Sequence, residues 1–336
     1  MTKSAFPARL ILFPVNEEGK TATFFLATEE YVASKLPADD YLFAWILPPT
    51  VVMGRNQVAE AEVNFDFCRK EGIDIVRRKS GGGCIYADEG NIMFSLITRE
   101  GAVEPIFNDY ATTVASALSN LGIDANVSGR NDILLANGTK VCGNAFYHLS
   151  GCNIVHGTML YDTNYSRMTG ALTPDRLKLK SSGVKSVKSR VGLIKDILPI
   201  GIHELRHRLE ERLTNRVYQL TIEDVHEIEK IECGYRVPEF LYGKKRLNEI
   251  CRTFSKRIKG CGRIDIHITT QNGRISDIFI TGDYFSHEDP NATFFDAFNG
   301  LKMQPKEMNN AIKNKHPEKS IRGLTAESLA ELLEIA

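Results

Sequence analysis

The feature of this sequence that most constrains its fold is a run of three glycines placed directly after a basic stretch. Residues 77–79 are Arg, Arg and Lys, and residues 81–83 are all glycine, within a segment that otherwise reads as β-strand. Each glycine inside an extended segment destabilises it by about 0.5–1 kcal/mol relative to alanine. Bare backbone N–H groups let a ligand approach closely, and the adjacent cations favour an anion. The stretch therefore predicts a phosphate- or carboxylate-binding loop, with a bulged hairpin that has a basic rim as the structural alternative.

The charge balance and the cysteine usage limit the classes of protein to which the chain can belong. Its 336 residues contain 42 Lys and Arg and 42 Asp and Glu, so the formal net charge is zero. Nucleic-acid-binding proteins usually carry a basic excess, and we therefore expect no nucleic-acid partner. The seven cysteines show no CxxC spacing, which disfavours a disulfide framework or a zinc ribbon and favours a reducing compartment. Because no apolar run reaches the length of a membrane span, we predict a cytoplasmic protein without a membrane partner.

Hydrophobic periodicity predicts an α+β chain with two domains. Apolar stretches bounded by turn residues read as strands, and apolar residues at helical spacing read as helices. The predicted strands are residues 9–14, 41–47, 51–54, 92–98, 132–136, 139–147, 153–161, 264–268 and 275–280, and the predicted helices are 29–36, 63–70, 106–121, 202–213, 222–233 and 326–335. Ile264, Ile266 and Ile268 alternate with polar residues, and Asn272-Gly273 predicts a hairpin turn between the last two strands. Thr28 is the predicted N-cap of the first helix, and Gly72 closes the second. A linker at 236–245 separates a predicted larger domain, residues 1–243, from a smaller one, residues 244–336.

An Asn137-Gly138 pair, the strongest short signal for a β-hairpin, lies just before a lysine in a predicted strand. Lys140 is therefore close to a tight turn, and Gly143 leaves space beside it for a ligand. An exposed edge lysine is the structural alternative. If a two-residue turn holds strict register, Lys140 and Asp132 point to opposite faces of the hairpin, so we assume no ion pair between them.

A polar and strongly basic segment spans residues 178–190 (KLKSSGVKSVKSR). A solvated loop is one interpretation of this composition. The other is a mobile flap over a polyanion, ordered when the ligand neutralises its charge.

One short pattern indicates a metal site that we discount. Residues 203–207 read HELRH, which matches the HExxH motif of zinc peptidases. Arg206 and Arg208 would place cations beside a dication, and no third ligand stands out downstream. The predicted helix is also highly charged, as expected of an exposed face. We therefore predict no zinc site here.

Four motifs occur along the chain in a fixed order. They are RRKSGGGCIYADEGN at residues 77–91, GRND at 129–132, GTKVCGNA at 138–145 and HGT at 156–158. In this order, and together with KSSGVKSVKSR at 180–190, they resemble the lipoate–protein ligase family. Residues 262–264 and 282–285 in turn resemble the small accessory domain of that family, so the resemblance covers nearly the whole chain.

The resemblance implies a catalytic domain with the fold of class II tRNA synthetases and biotin ligases, in which mixed sheets are flanked by helices. A small α/β accessory domain would follow it. The implied reaction has two steps: lipoate and Mg-ATP, with Mg²⁺ as the metal, give lipoyl-AMP and pyrophosphate, and the lipoyl group then passes to a lysine. The implied partners are lipoyl-domain acceptor proteins, namely the acyltransferase subunits of 2-oxoacid dehydrogenases and the glycine-cleavage H protein.

The resemblance also assigns roles to individual residues. Lys140 matches the family's central lysine and is the expected catalytic residue, because its charge would hold a carboxylate and a phosphate oxygen together. Asp132 is expected near Mg²⁺ or the ribose, and no firm metal ligand is assigned. The residues expected to bind ATP or the adenylate are Arg78, Gly83, Cys84, Ile85, Tyr86, Asp132, Lys140, Lys180, Gly183, Val184, Ser186 and Val187. Those expected to bind lipoate are Arg78, Ser80, Gly82, Gly83, Lys140, Gly143, His156 and Gly157.

The sequence departs from the family pattern at three positions. Ala87 stands where the family usually has histidine, Cys84 replaces an alanine and Cys142 replaces a serine. Cys142 lies two residues from Lys140, which in a regular strand puts both side chains on one face. An acyltransferase that works through a cysteine thioester without ATP is therefore the alternative, and a non-enzymatic lipoyl-domain-binding protein is a third hypothesis. The accessory domain and the basic segment favour the ATP-dependent ligase.

Overall fold

The structure, a computed structural model, describes residues 6–99, 101–128, 131–172, 191–243 and 251–335. By internal packing the chain divides into two compact units. The first unit comprises residues 1–53, 60–78 and 85–241, and the second comprises 54–59, 79–84 and 242–336. The predicted domain boundary between residues 243 and 244 stays a prediction. The grouping of two short N-terminal segments with the C-terminal residues has no counterpart in the sequence patterns.

Mixed sheets flanked by helices confirm the predicted α+β class. The strands are β1 (Arg9–Leu12), β2 (Tyr41–Trp45), β3 (Thr50–Met53), β4 (Asp74–Arg77), β5 (Ile85–Ala87), β6 (Asn91–Thr98), β7 (Ala125–Ser128), β8 (Asp132–Leu135), β9 (Lys140–Leu149), β10 (Cys152–Leu160), β11 (Arg216–Gln219), β12 (Arg252–Ile258), β13 (Gly262–Gln271) and β14 (Arg274–Gly282). The helices are α1 (Ala22–Lys35), α2 (Ala59–Glu62), α3 (Phe65–Glu71), α4 (Val103–Ser119), α5 (Tyr165–Ala171), α6 (Ile202–Leu213), α7 (Ile222–Tyr235), α8 (Pro238–Leu241), α9 (Pro290–Phe298), α10 (Pro305–Lys315) and α11 (Ala326–Leu332). None of the helices in these described ranges has the length and apolar character needed to cross a membrane.

The first unit is built on an eight-stranded sheet with the order β11-β1-β2-β6-β10-β9-β8-β7. Neighbouring strands are antiparallel from β2 to β7, whereas β1 pairs in parallel with both β2 and β11. The first unit has an apolar core that includes residues of α1, β2 and β6. A separate three-stranded sheet, β4-β3-β5, contributes Val52 and Val76 to this core. The order sets β10 and β9 side by side, and these two strands carry the predicted site residues 140, 143, 156 and 157.

Helix α1 is buried on nearly all sides, and its start was predicted wrongly. It begins at Ala22, so Thr28 lies inside the helix, where its Oγ1 donates to the carbonyl of Phe24 at 3.0 Å. Phe25 is fully buried and stacks on Trp45 with ring centroids 4.7 Å apart. A helix without a solvent-facing side lacks the amphipathic periodicity from which a helix start is read.

The bounds of α6 and the end of α3 are as predicted. Helix α6 spans the predicted residues because Leu205 and Leu209 recur at helical spacing on its buried side. Gly72 ends α3 with a left-handed φ of 62°, and its N–H donates to the carbonyl of Cys68. Glycine adopts this φ without steric strain, as the sequence-based assignment of the cap requires.

The second unit has its own core around the antiparallel sheet β12-β13-β14. Ile264, Ile266 and Ile268 alternate along β13 and are all buried in that core, in agreement with their period of two. The turn between β13 and β14 is the predicted one at Asn272 and Gly273, which have φ values of 53° and 74°. Positive φ at both central residues is the signature of a two-residue type I′ hairpin turn.

Candidate active site

The hairpin turn before Lys140 forms, but its loop contains three residues and not two. The N–H of Leu135 donates to the carbonyl of Thr139 at 2.9 Å, which leaves residues 136–138 as the loop. The extra loop residue sets Lys140 opposite Leu134 in strand β8. Because loop length fixes the register of a hairpin, the predicted register was wrong by one position at this point.

A β-bulge at Val141 completes the geometry around Lys140. The register shifts at this residue, so that Gly143 and not Cys142 is the residue opposite Asp132. The Nζ of Lys140 lies 2.7 Å from Oδ1 of Asp132, and the two side chains are 35% and 34% exposed. The expectation that these side chains point to opposite faces was therefore wrong. The loop and the bulge together build an ion pair that a ligand can reach.

Gly143 makes room for the lysine side chain. A Cβ built on Gly143 would lie 2.6 Å from Nζ and 2.7 Å from Cε of Lys140. Real Cβ atoms essentially never make such close contacts, so only glycine leaves this space open. The prediction that Gly143 provides space beside Lys140 agrees with this geometry, and the lysine itself occupies that space.

Cys142 faces away from Lys140, contrary to the expectation from regular strand alternation. The bulge sets it opposite Ile133, and its Sγ–H donates to Oδ1 of Asn144 at 3.3 Å. The side chain is completely buried. Burial raises the pKa of the Cys142 thiol to about 12, so that almost no thiolate, the nucleophilic form, exists at neutral pH.

A buried polar network joins helix α1 to four strands of the large sheet, β2, β6, β9 and β10. Glu29 is fully buried in α1. Its Oε1 accepts from Ser95 Oγ at 2.6 Å and lies 2.9 Å from Nδ1 of His156. Its Oε2 accepts from the hydroxyl of Tyr147 at 3.1 Å. Ser95 Oγ in turn accepts from Nε1 of Trp45 at 3.1 Å, so the carboxylate that the fold buries is surrounded by polar partners.

Glu29 is the residue of this network that sequence reasoning missed. His156 was expected to contact lipoate, but its partner lies 127 positions earlier in the chain. The available signal was a glutamate within the apolar segment FFLATEEY, where a charged side chain contradicts the burial of its neighbours. Burial, and then the Glu29 carboxylate, raises the pKa of Tyr147 far above its ordinary value. Tyr147 therefore stays a hydrogen-bond donor.

Gly157, another residue expected at lipoate, is closely covered by a side chain. A Cβ at this position would lie 2.1 Å from Oδ1 of Asn144 and 3.0 Å from the hydroxyl of Tyr110. Asn144 is held by Asn131 of the GRND motif, whose carbonyl accepts both the backbone N–H and the side-chain amide of Asn144. The glycine is thus required by packing in the first unit.

The arginine and tyrosine that flank the glycine run are buried in the first unit. Arg78 donates through its NH1 atom to the carbonyl of Val52 at 3.0 Å, and its backbone N–H donates to Met53. Tyr86 lies in β5, directly after the half-buried Ile85, and burial raises its pKa. The three-stranded sheet β4-β3-β5 therefore positions both predicted ATP contacts: β3 carbonyls accept hydrogen bonds from Arg78, and Tyr86 is itself part of β5.

Two of the three glycines in the run have structural reasons that the sequence argument overlooked. A Cβ on Gly81 would lie 2.3 Å from the carbonyl oxygen of Tyr284, within the second unit. Gly82 has a φ of 86° and donates its N–H to the same oxygen at 3.0 Å. A Cβ on Gly83 would meet only Cβ of Asp283, at an ordinary 3.9 Å. Gly81 is therefore required by close packing and Gly82 by its backbone conformation, two reasons for glycine that are independent of a ligand.

This difference predicts unequal effects of two alanine substitutions on stability. We expect Gly81→Ala to destabilise the second unit by about 1–3 kcal/mol, because a backbone carbonyl cannot rotate away as a side chain does. Gly83→Ala has the space it needs and should leave the thermal midpoint unchanged. Calorimetric unfolding of the full chain measures both variants, and equal midpoints for the two would contradict this account.

The remaining predicted site residues fall into two groups. Ser80 and Cys84 belong to the segment 79–84 of the second unit, and the others lie outside the described part of the chain. Ser80 is buried and its carbonyl accepts the N–H of Arg55 at 2.9 Å, while Cys84 is half-buried. The basic segment 178–190 lies outside the described residues. The expected contacts that fall there are Lys180, Gly183, Val184, Ser186 and Val187.

The HExxH pattern lies on an exposed face, as predicted. His203, Glu204 and His207 are all exposed on α6, and Nε2 of His207 lies 3.4 Å from Oε1 of Glu211 one turn along the helix. Among residues 6–99, 101–128, 131–172, 191–243 and 251–335, no three His, Cys, Asp or Glu side chains come together as a metal site.

Comparison with known families gives two matches that together span most of the chain. Residues 21–214 match the lipoyl protein ligase A/B catalytic domain, and residues 249–333 match the bacterial lipoate protein ligase C-terminus. The lipoate-protein ligase LplJ of Bacillus subtilis is 35% identical over 289 residues, which cover 82% of this chain and 86% of the relative. Lipoate–protein ligase 1 of Staphylococcus aureus is 34% identical over 274 residues, covering 78% and 82% of the two chains.

Three solved structures have the same fold as this chain. LipL1 of P. falciparum, solved with lipoate, superposes with a TM-score of 0.75 at 20% identity and covers 98% of both chains. An archaeal bipartite lipoate protein ligase from Thermoplasma acidophilum, described with its E2 lipoyl domain, has a TM-score of 0.62 at 26% identity, covering 73% of this chain and 99% of that one. A lipoate-protein ligase A bound with ATP has a TM-score of 0.60 at 25% identity, covering 71% and 99%.

These matches agree with the family resemblance that the order of the sequence motifs indicated. They also exclude the hypothesis of a protein without catalytic activity. The chain belongs to the lipoate–protein ligase family and is an enzyme of that family.

Proposed function

We propose that this enzyme attaches lipoate to a lysine of lipoyl-domain proteins, with Mg-ATP as the co-substrate and lipoyl-AMP as the intermediate. The observation that carries the proposal is the Lys140 ammonium, paired with Asp132 and lying over Gly143. The named relatives are lipoate–protein ligases, and one of them was solved with ATP bound. We also propose that the enzyme works in the cytoplasm.

Lys140 is the proposed catalytic residue because adenylation must bring two anions together. The lipoate carboxylate attacks the α-phosphorus of ATP, and pyrophosphate leaves. An ammonium group that binds both anions offsets their repulsion and stabilises the charge that develops between them. In the second step the acceptor lysine attacks the acyl carbon and AMP leaves. The same ammonium is then positioned to stabilise the negative charge on the acyl oxygen.

Asp132 is the proposed metal contact of the first unit. Proteins usually hold Mg²⁺ through one or two carboxylates together with substrate phosphates, and a single half-exposed carboxylate fits this pattern. Mg²⁺ bound with ATP would neutralise phosphate charge. In the substrate-free protein Asp132 instead pairs with Lys140, so it orients the ammonium until the substrates arrive.

The proposed acceptors are the acyltransferase subunits of 2-oxoacid dehydrogenases and the glycine-cleavage H protein. The archaeal relative described with its E2 lipoyl domain supports this class of partner. Acceptor choice can be tested by offering each purified lipoyl domain in turn and measuring the mass increase of the domain.

The decisive experiment measures lipoate-dependent pyrophosphate release by the purified chain in the presence of Mg-ATP. A lipoyl domain is added in a second stage, and its modification is followed by mass spectrometry. We expect pyrophosphate release with lipoate and transfer to the domain. If neither lipoate nor octanoate leads to pyrophosphate release, the proposed function is wrong. Biotin is the matched negative control, because the fold is shared with biotin ligases.

The thioester alternative predicts a different result for Cys142. A fully buried thiol with a pKa of about 12 on the face away from Lys140 is a poor nucleophile. We therefore expect Cys142→Ala to retain ATP-dependent ligation. Transfer from an acyl carrier protein without ATP, lost in Cys142→Ala, would instead support the acyltransferase.

A further inference from the structure

The strand that carries Lys140 changes its neighbour at this residue. Strand β10 pairs with β9 only as far as Met159, which lies opposite Cys142. At Lys140, on the edge of β9 that β10 occupies further along, the neighbouring chain is the segment that begins at Val191. Lys140 and Val191 form a parallel bridge, and the N–H of Gly192 donates to the carbonyl of Lys140 at 2.8 Å.

The segment that begins at Val191 is anchored to residues just after β10. Ile194 is completely buried, and the N–H of Lys195 donates to the carbonyl of Tyr161 at 3.1 Å. The hydroxyl of Tyr165 donates to the carbonyl of Val191 at 3.4 Å. The backbone that receives Lys140 is therefore itself fixed, and it can act as a support.

The segment approaches the hairpin so closely at residue 192 that a side chain has little room there. The reason for glycine is this lack of space and not an unusual backbone conformation. A Cβ built on Gly192 would lie 2.4 Å from Oγ1 of Thr139 and 2.6 Å from Cδ1 of Leu135. Its φ is not among the left-handed values found at other glycines of the chain. A methyl group at this position requires the side chains of Thr139 and Leu135 to move, or the segment to shift away from the hairpin.

We infer that Gly192 is a positioning residue that fixes the backbone of the catalytic lysine, an inference that rests on the proposed role of Lys140. Lys140 is the first residue of β9 and lies between a three-residue loop and a bulge. A bulge interrupts the ladder and leaves its strand less constrained at that point. The hydrogen bond from Gly192 supplies the constraint from the second side. The ammonium is thereby held over Gly143, where the two anions must meet.

The test compares Gly192→Ala with a matched glycine that has no neighbours. Gly234→Ala is the control, because Gly234 lies exposed in α7 and a Cβ there would have nothing within 4 Å. We expect Gly192→Ala to lower kcat for lipoate-dependent pyrophosphate release by about 10–100-fold, the effect of a displacement of the order of 1 Å in a catalytic group. KM for lipoate should change less than kcat, and the control should behave as wild type.

Rescue by further substitutions separates positioning from general damage. Thr139→Ala and Leu135→Val together remove the two atoms that the new methyl group would meet, so adding both to Gly192→Ala should recover most of the lost kcat. The two substitutions are also measured without Gly192→Ala, because the Thr139 hydroxyl donates to Asn137 at 2.6 Å and Leu135 is buried. A kcat of Gly192→Ala equal to that of wild type, or a loss that the two substitutions do not relieve, would overturn the inference.

A spectroscopic measurement keeps the inference testable if the proposed function fails. The ¹³Cε resonance of Lys140, assigned by its loss in Lys140→Arg, should shift in Gly192→Ala and stay in place in Gly234→Ala. An inactive wild-type enzyme would disprove the proposed function alone, whereas an unshifted resonance in Gly192→Ala would disprove the positioning role.

Discussion

Lys140→Ala should abolish lipoate-dependent pyrophosphate release while leaving the fold intact. The variant removes the ammonium that offsets the repulsion between carboxylate and phosphate. Loss of a single preorganised charge or hydrogen-bond donor to a developing anion lowers kcat by about 10²–10³-fold, and here one group serves both steps. The side chain is about one-third exposed and lies over glycine, so its removal leaves no buried cavity. The far-UV circular dichroism spectrum should therefore match that of wild type.

The matched control for this variant is Lys230→Ala. Lys230 also forms an ion pair with a carboxylate, that of Glu227, but on the exposed surface of α7. We expect its activity to equal that of wild type. Single-turnover transfer from synthetic lipoyl-AMP measures the second step alone, and Lys140→Ala should be impaired there as well. An activity of Lys140→Ala within tenfold of wild type would mean that another group binds the two anions.

Glu29→Ala is expected to have the largest effect on stability, a loss of about 3–5 kcal/mol in the free energy of unfolding. The carboxylate is fully buried and accepts hydrogen bonds from Ser95 and Tyr147 while contacting His156. Its removal takes a buried hydrogen-bond acceptor away from these polar groups and opens a cavity beside them. Urea unfolding followed by circular dichroism measures the loss.

The control for Glu29→Ala is another helical glutamate next to a histidine, Glu211, which contacts His207 on an exposed face. Glu211→Ala should unfold at the same urea concentration as wild type. Glu29→Gln is the second variant if the alanine variant does not fold, since the amide keeps the shape and loses the charge. Wild-type stability in both Glu29 variants would mean that the network contributes nothing to folding.

Much of the fold was predictable because its signals are local. Helix α6 has one apolar stripe on a charged helix, so its period sets its bounds. The Asn272-Gly273 turn was equally clear, because both residues adopt the positive φ that the dipeptide favours. The start of α1 was missed because its first residues are buried on every side and show no periodicity.

The candidate site was predictable in its residues and not in its geometry. Lys140 was identified from the motif, yet its pairing with Asp132 depends on one extra loop residue and one bulge. The same Asn-Gly dipeptide gives two different loops in this chain, so local propensity does not decide the register. Glu29 was missed for another reason: its partners come from separate strands that only the tertiary fold brings together.

The close packing of Gly81 and Gly82 on Tyr284 has a consequence for recombining members of this family. In a chimera that exchanges only the residues after 243, the glycine run would come from one parent, whereas the residue at position 284, whose carbonyl contacts Gly81 and Gly82, would come from the other. Because residues 54–59 and 79–84 belong to the same compact unit as the C-terminal residues, a working crossover carries all three pieces from one parent. The part of this enzyme that must be exchanged as a whole is therefore made of segments that are separate in the sequence.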